Sequence, residues 1–428
     1  MRISQIAFSI LAASVCCVAY AEEFLSFENA LERMVQNSPK YKATLESLEA
    51  EKAQLGAGLF AHFPTVSTGA NYGASGAFEN NSNVERSIGV NASLSLPLFQ
   101  FGAANARCQS AQIGFKAVVH SERVALVETQ KDMALLLVEN LKSQKLVGLE
   151  ERIFQSRVQF LEKSEALYKH GLLPAEELDK MRLNVGMARL QLNESKSKVL
   201  LSSGQVAVAL NSSARVGEWG WSFPFFEKFE NWDAAAALSQ LLDKAVAGST
   251  FDVQKSGHDI VVARSGLLPS FDLQLSVTKS FSLVADSTER PAGWQAGVGV
   301  SVPLFSRGEN WARVEGAARN LRAAGFKVEN AKRTVRETVF QLATSLKNGV
   351  VSSRERTLFV KQAQKNLERA RERFLVGKIS SNELAQDETK VFELEQDLVE
   401  NTASLHKGYV QLCSTLVLSL FECEAAIF

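Results

Sequence analysis

The amino-acid sequence predicts a mixed α and β fold, with long coiled-coil α-helical hairpins joined to four β-strands of membrane-spanning length per chain. Three observations carry this expectation. The chain repeats itself: Ser95-Leu96-Pro97-Leu98-Phe99, followed by Gly102, returns as Ser301-Val302-Pro303-Leu304-Phe305, followed by Gly308, an offset of 303 − 97 = 206. Tyr168-Lys169-His170-Gly171 and Phe374-Leu375-Val376-Gly377 share that offset, and Phe63-Pro64 returns as Leu268-Pro269 at 205. A fixed offset marks two structural copies in register. Proline is absent between Leu98 and Leu173 and again after Leu304, which leaves room for very long helices. Between these stretches the hydrophobic period falls from 3.6 to 2, the signature of strands with two unlike faces.

In chain order, residues 1–21 read as a secretory signal: Arg2, an apolar run from Ile3 to Val18, and Ala19-Tyr20-Ala21 before Glu22. A retained membrane helix is the alternative, but the run is short and ends at a cleavable motif. The first copy then occupies 22–230 and the second 231–428. Helical spacing begins at Leu31, Met34 and Val35 and resumes at Leu45, Leu48 and Leu55, with Pro39 at a break or kink.

Strands are expected over about 65–98 and 270–304. Val66, Thr68, Ala70 and Tyr72 alternate with Ser67, Gly69, Asn71 and Gly73; beyond a polar loop at Glu79 to Asn83, Ile88 to Leu96 alternate with Gly89, Asn91, Ser93 and Ser95. In the second copy Phe271, Leu273, Leu275 and Val277 alternate with Asp272, Gln274, Ser276 and Thr278. A loop at Asp286 to Pro291 precedes the return along Trp294, Ala296, Val298, Val300 and Val302. Each run has about the ten residues of a tilted membrane strand. A hairpin packed on a soluble core would show the same alternation. Four strands cannot close a barrel and lipid does not tolerate an open edge, so a membrane reading requires several copies, and three would supply twelve strands.

Pro97 with Gly102, and Pro303 with Gly308, mark the strand-to-helix junctions. Gly102 to Gly171 would span ~100 Å as a helix, a length that implies coiled-coil packing. The helices turn back at tips of about 168–180 and 374–386. Gly171 with Pro174, and Gly377 with Ser380 and Glu383, supply a helix stop, a helix start and a capping box. A connector of about 211–232 is rich in aromatics, with Trp219, Trp221, Phe223, Phe225 and Phe226, and reads as packed rather than flexible.

The net charge is zero, which leaves no electrostatic footprint for nucleic acid. Of five cysteines, Cys16 and Cys17 leave with the signal. Cys108, Cys413 and Cys423 form no disulfide framework and read as buried small hydrophobes, although an exported chain permits a Cys413–Cys423 bond. The five histidines have no metal-binding spacing, and no nucleotide-binding or nucleophile-elbow motif occurs. Catalytic, metal and cofactor sites are therefore not expected.

Together, the leading Phe27-x-x-Ala30-Leu31 and Asn37-Ser38-Pro39 helix, the duplicated Leu-Pro-Leu-Phe or Val-Pro-Leu-Phe strand end, and the duplicated aromatic-x-x-Gly turn resemble the TolC-like outer-membrane efflux proteins over the whole mature chain. That resemblance implies a homotrimer with a twelve-stranded β-barrel in the outer membrane and an α-helical tunnel in the periplasm. It implies a passive exit duct for efflux or type I secretion, working with a periplasmic adaptor and a proton-driven or ATP-driven inner-membrane transporter. It places adaptor docking at the tips, on Tyr168, Gly171, Leu172, Phe374, Gly377 and Ile379. Pore-narrowing acids match Glu177 and Glu383, while Gln386 stands where some relatives carry a further acid. Helix N-terminal carboxylates favouring the macrodipole are an equally good reading of both glutamates. A periplasmic adaptor or coiled-coil scaffold without a barrel is the alternative function; the four amphipathic strands speak against it.

Overall fold

The computed structural model describes residues 24–75, 85–212, 214–217, 223–282 and 291–428. The signal sequence, the two strand loops at 76–84 and 283–290, and Trp219 and Trp221 of the connector lie outside the described residues. In order, the elements are β1 (Phe24–Leu25), α1 (Phe27–Asn37), α2 (Pro39–Leu59), β2 (Thr65–Ser75), β3 (Glu85–Phe99), α3 (Ala103–Lys169), α4 (Ala175–Leu210), β4 (Arg215–Val216) and α5 (Phe223–Glu227). A 3-10 turn (Lys228–Asn231) follows, then α6 (Ala234–Ala245), α7 (Ala247–Ser265), β5 (Ser270–Ser282), β6 (Gly293–Ser301), α8 (Glu309–Leu375), α9 (Ser381–Thr415) and α10 (Leu420–Ile427).

Helices α3 and α8 are each 67 residues long, the duplication written in helix length. Compactness divides the chain differently, because each of two units draws on both copies. One contains residues 1–37, 133–222 and 362–399; the other contains 38–132, 223–361 and 400–428. Pro39 starts a new helix rather than kinking an old one. Ser38 caps α2 by accepting from the Tyr41 amide at 3.3 Å, and a proline at the first helical position forfeits only an amide that has no helical partner.

The second unit holds the sheet, four antiparallel strands in the order β2-β3-β5-β6. Its register aligns the predicted faces. Val66, Leu94, Leu275 and Ala296 share one face across the strands, while Ser67, Ser93, Ser276 and Gln295 share the other. The Ser67 and Ser93 hydroxyls are 2.7 Å apart on the polar face. Strands β2 and β6 are open edges. β3 continues through Pro97 to Phe99 with a register shift there, whereas β6 stops at Ser301, leaving Pro303 outside the ladder.

Both junctions then turn through two consecutive left-handed residues. Phe101 and Gly102 have φ of +48° and +83°; Arg307 and Gly308 have +52° and +81°. The ends of α4 and α9 extend this symmetry, with Asn211 at φ +53° and Val417 at +55°, again 417 − 211 = 206. Asparagine adopts this conformation readily, but a β-branched residue is strained in it. Val417 is held there by Leu418 donating to the Cys413 carbonyl at 3.0 Å, by Arg123 donating to its own carbonyl at 3.2 Å, and by a Cys413–Cys423 disulfide that brackets it in sequence.

Close helix packing in this unit depends on two glycines. A Cβ on Gly349 of α8 would lie 2.8 Å from Leu405 of α9, and one on Gly408 would lie 3.1 Å from Leu346. The Asn401 amide adds hydrogen bonds to the Gly349 carbonyl at 2.8 Å and to Ser353 at 3.0 Å. At the sequence-equivalent pair of the first copy, Asn140 donates to Ser202 at 3.0 Å. A Leu–Gly contact and an Asn–Ser hydrogen bond are thus two solutions at one position of the repeat.

The connector is packed where it is described. Phe226 and Phe229 are fully buried and meet Tyr409 of α9, and Phe428 stacks edge-on against Phe229 with centroids 4.9 Å apart. In the other unit, β1 pairs in parallel with β4, which ties the chain's start to the first connector residues.

Candidate functional site

The tips of the helical hairpins belong to the first unit, where α3, α4, α8 and α9 meet. Each tip is built from the same backbone motif. After α3, the Gly171 amide donates to Tyr168 and the Leu172 amide to Leu167, both at 2.9 Å; after α8, Gly377 donates to Phe374 and Lys378 to Arg373, also at 2.9 Å. Both glycines have φ of +70°, where a side chain would be strained, which explains glycine at these two positions.

A shared apolar core fixes the tip. Phe160, Met181, Leu367, Ala370, Phe374, Leu384 and Val391 are buried together, with Ile379 packed against them. Among the predicted docking residues, Phe374 is therefore interior and Ile379 half-buried, while Tyr168 and Leu172 are exposed, with Val376 exposed beside them. Leu172 and Val376 border a groove of about 590 Å³ lined also by Pro174, Ile379, Glu177 and Glu383.

Glu177 spans the two hairpins. Its carboxylate accepts from the Ser381 amide at 3.0 Å and from the Ser381 hydroxyl, so an α4 side chain satisfies an orphan donor at the start of α9. Ser380 accepts the Glu383 amide at 3.3 Å, one half of the predicted capping box. Lys180 pairs with Glu176 and Glu177 at 2.9 and 3.4 Å. These bonds, that to the Ser381 hydroxyl foremost, hold the Glu177 carboxyl below the ordinary 4.5. Glu383 and Gln386 are exposed.

A depressed carboxylate contributes its full stabilisation above pH 4.5 and loses it as pH falls through the lowered folded value. Amide exchange, corrected for intrinsic rates, is expected to show Ser381 and Glu383 losing protection below that pH in the wild type. Glu177→Gln is expected to flatten the dependence. An unchanged profile in the variant would reject Glu177 as the titrating group.

One turn deeper lies a cluster that the sequence motifs did not reveal. Glu388 of α9 is 9% exposed and stands 3.1 Å from Arg371 of α8, 3.7 Å from Arg157 of α3 and 3.2 Å from Ser156. Arg157 also donates to the Asn184 carbonyl of α4 at 3.3 Å, and Arg371 lies over the Phe160 ring at 5.3 Å. Side chains of α3 and α8 thus converge on one α9 carboxylate, and Arg157 ties α4 to it. A signal was available: Leu384, Glu388 and Val391 fall on one helical seam, as do Ile153, Arg157 and Phe160. A charge on each of two apolar seams invites pairing.

Among the described residues no group of three or more His, Cys, Asp or Glu side chains is placed to hold a metal, and no single helix is long and apolar enough to cross a membrane. The latter says nothing of strands.

No curated protein sequence matches the chain. Among solved structures it is similar to the outer membrane protein VceC of Vibrio cholerae, at 13% identity and a TM-score of 0.78 over 92% of this chain and 96% of that one. It is also similar to the CmeC outer membrane channel of Campylobacter jejuni, at 15% identity and a TM-score of 0.76 over 91% and 85%. The open-state MtrE channel of Neisseria gonorrhoeae gives 15% and 0.75 over 92% and 89%. These likenesses bear on fold, and they match the long helices and four antiparallel strands. The family model described as outer membrane efflux protein matches residues 30–212 and 237–416, most of the chain and both copies. The chain therefore belongs to the outer membrane efflux protein family, the non-enzymatic TolC-like channels of multicomponent efflux systems, with strands in the outer membrane and helices in the periplasm.

Proposed function

We propose that three copies of this chain close a twelve-stranded barrel and a continuous helical conduit, a passive exit duct for cargo driven by an inner-membrane transporter. The observation that carries this is the open sheet. Strands β2 and β6 are unpaired edges of a wholly antiparallel sheet, so β6 of one copy suits β2 of the next, and every added copy preserves the alternation. The apolar face, with Val66, Tyr72, Trp294 and Val298 exposed, suits lipid, and the face of Ser67, Asn91, Ser93 and Gln274 suits a watery lumen.

Glu383 and Gln386 then border the periplasmic mouth, with Glu177 behind them joining the hairpins. Tyr168, Leu172 and Val376 are the contact surface offered to a periplasmic adaptor, and Gly171, Gly377, Phe374 and Ile379 shape it from within. No phosphate-binding motif supplies energy, so the drive belongs to a proton-driven or ATP-driven partner in the inner membrane. Native mass measurement of the detergent-extracted protein is expected to give three copies, and planar bilayers an ion current whose cation selectivity falls in Glu383→Ala. A monomer extracted from the outer membrane would reject the barrel. An unchanged reversal potential would reject the mouth assignment.

A further inference from the structure

We propose that the outer rim of the sheet binds the phosphate of a lipid headgroup through Lys279 and Arg86, the two charged residues on this face among the described strand residues. The site rests on the reading above that this face meets lipid. The register fixes the placement. Val90 stands opposite Lys279, Ile88 opposite both Phe281 and Tyr72, and Arg86 opposite Ala74. Lys279 therefore shares its face with Val277 and Phe281 along its own strand, and Arg86 follows Ile88 on that face toward the rim. Among the described strand residues this face carries no carboxylate; Asp272 has the opposite parity.

A cation facing hydrocarbon without a protein anion is strongly unfavourable at the bilayer centre and tolerated only near the headgroups. The position of this pair meets that condition. β3 begins at Glu85 and hands over to α3 after Phe99, so Arg86 and Lys279 lie at the sheet end remote from the helices. The helices are periplasmic, so this end is extracellular and its headgroups are those of the outer leaflet.

Two further features specify a lipid rather than a free anion. Tyr72 and Phe281 lie on one register row of this face, both exposed, and Trp294, exposed to 79%, lies on the same face four residues nearer the helices, aromatic groups of the kind found where headgroups and acyl chains meet. The Lys279 ammonium lies 4.8 Å from the Phe281 ring centroid, so its stem runs along apolar surface while its charge is carried toward the rim. An acyl chain against Val277 and Trp294, with its phosphate between Lys279 and Arg86, satisfies both the apolar face and the cations. Inorganic phosphate satisfies only the cations.

The test uses native mass spectrometry of the full-length protein in detergent, with bisphosphorylated lipid A, fully dephosphorylated lipid A and inorganic phosphate as probes. Bisphosphorylated lipid A is expected to bind best. Lys279→Gln should weaken it about fivefold, and adding Arg86→Gln on the order of thirtyfold. Lys279→Arg should preserve binding, which separates charge from packing. Equal binding by the double variant, or displacement of the lipid by equimolar inorganic phosphate, overturns the site. The same spectra report the copy number. Trimers with charge-independent lipid binding remove this site and leave the barrel, whereas monomers alone remove both.

Discussion

Glu388→Ala is expected to loosen the four-helix tip as a unit, at a cost of about 3 kcal/mol, the lower end of the range for breaking a buried ion pair from one side. Glu388 is 9% and Arg157 13% exposed, so removing the carboxylate strands the Arg157 guanidinium where water reaches it poorly. Arg371 is 34% exposed and recovers part of its hydration, which sets the lower end. The loss includes more than one pair, because Ser156 and Arg371 both reach the same carboxylate oxygen.

Hydrogen exchange over residues 156–164 and 384–391 is the direct measurement, with channel leak as the functional readout. Replacing Arg157, Arg371 and Glu388 together by apolar residues of similar size should restore much of the protection, since the penalty comes from uncompensated charge. The exposed pairs of Arg182 with Asp179 and Glu165 serve as the control, and Arg182→Ala there should cost under about 1 kcal/mol. Wild-type exchange in Glu388→Ala would show that the apolar core of Phe160, Leu384 and Phe374 holds the tip without the cluster.

How far this tip was legible in the sequence depends on the kind of residue. Backbone demands were plain: Gly171 and Gly377 occupy positive φ because few other residues do so cheaply, and their shared offset announces equivalent turns. Strand faces were equally plain, since alternation has a period of two and the register only had to respect it. The adjacency of β3 and β5 was not, because each hairpin declares its own partner but nothing local says which edge meets the other hairpin.

Val417 is illegible in the sequence for the opposite reason to Gly171. Its side chain disfavours the conformation it holds, and only the surrounding hydrogen bonds and the Cys413–Cys423 bond impose it. That bond also corrects the preferred reading of Cys413 and Cys423 as mere small hydrophobes, while Cys108 is free. Cysteine spacing could permit the bond but could not require it, because pairing depends on how the chain folds back after α9. Glu177 illustrates a subtler case. The family resemblance implied a pore acid, and a helix N-terminus was the competing reading. The structure shows it at two N-termini, its own in α4 and, through Ser381, that of α9. Sequence could offer the first but not the second, which needs the two tips side by side.

Phe226→Ala is expected to cost about 3–5 kcal/mol, the largest single-residue loss in the second unit. Phe226 is fully buried, its ring 4.8 Å from His406 and 6.4 Å from Tyr409, with Phe225 and Phe229 edge-on or tilted against it. The rings around it are held in place: Phe229 and Tyr409 are themselves fully buried, and Tyr409 and His406 are fixed on α9 close to the disulfide. The resulting cavity stays open, which is the condition for the upper part of the range. Phe428→Ala is the matched comparison. Phe428 contacts Phe225 and Phe229 but is half exposed at the chain end, so its removal should cost about 1 kcal/mol, the worth of an aromatic pair with little burial behind it. Thermal unfolding of the two variants discriminates a shared cluster from a hierarchy. If Phe226 and Phe428 cost the same, the connector is held mainly by the C-terminal ring stack; a difference of a few kcal/mol places its anchor on α9, where the first connector phenylalanines enter the helix pair of the second copy.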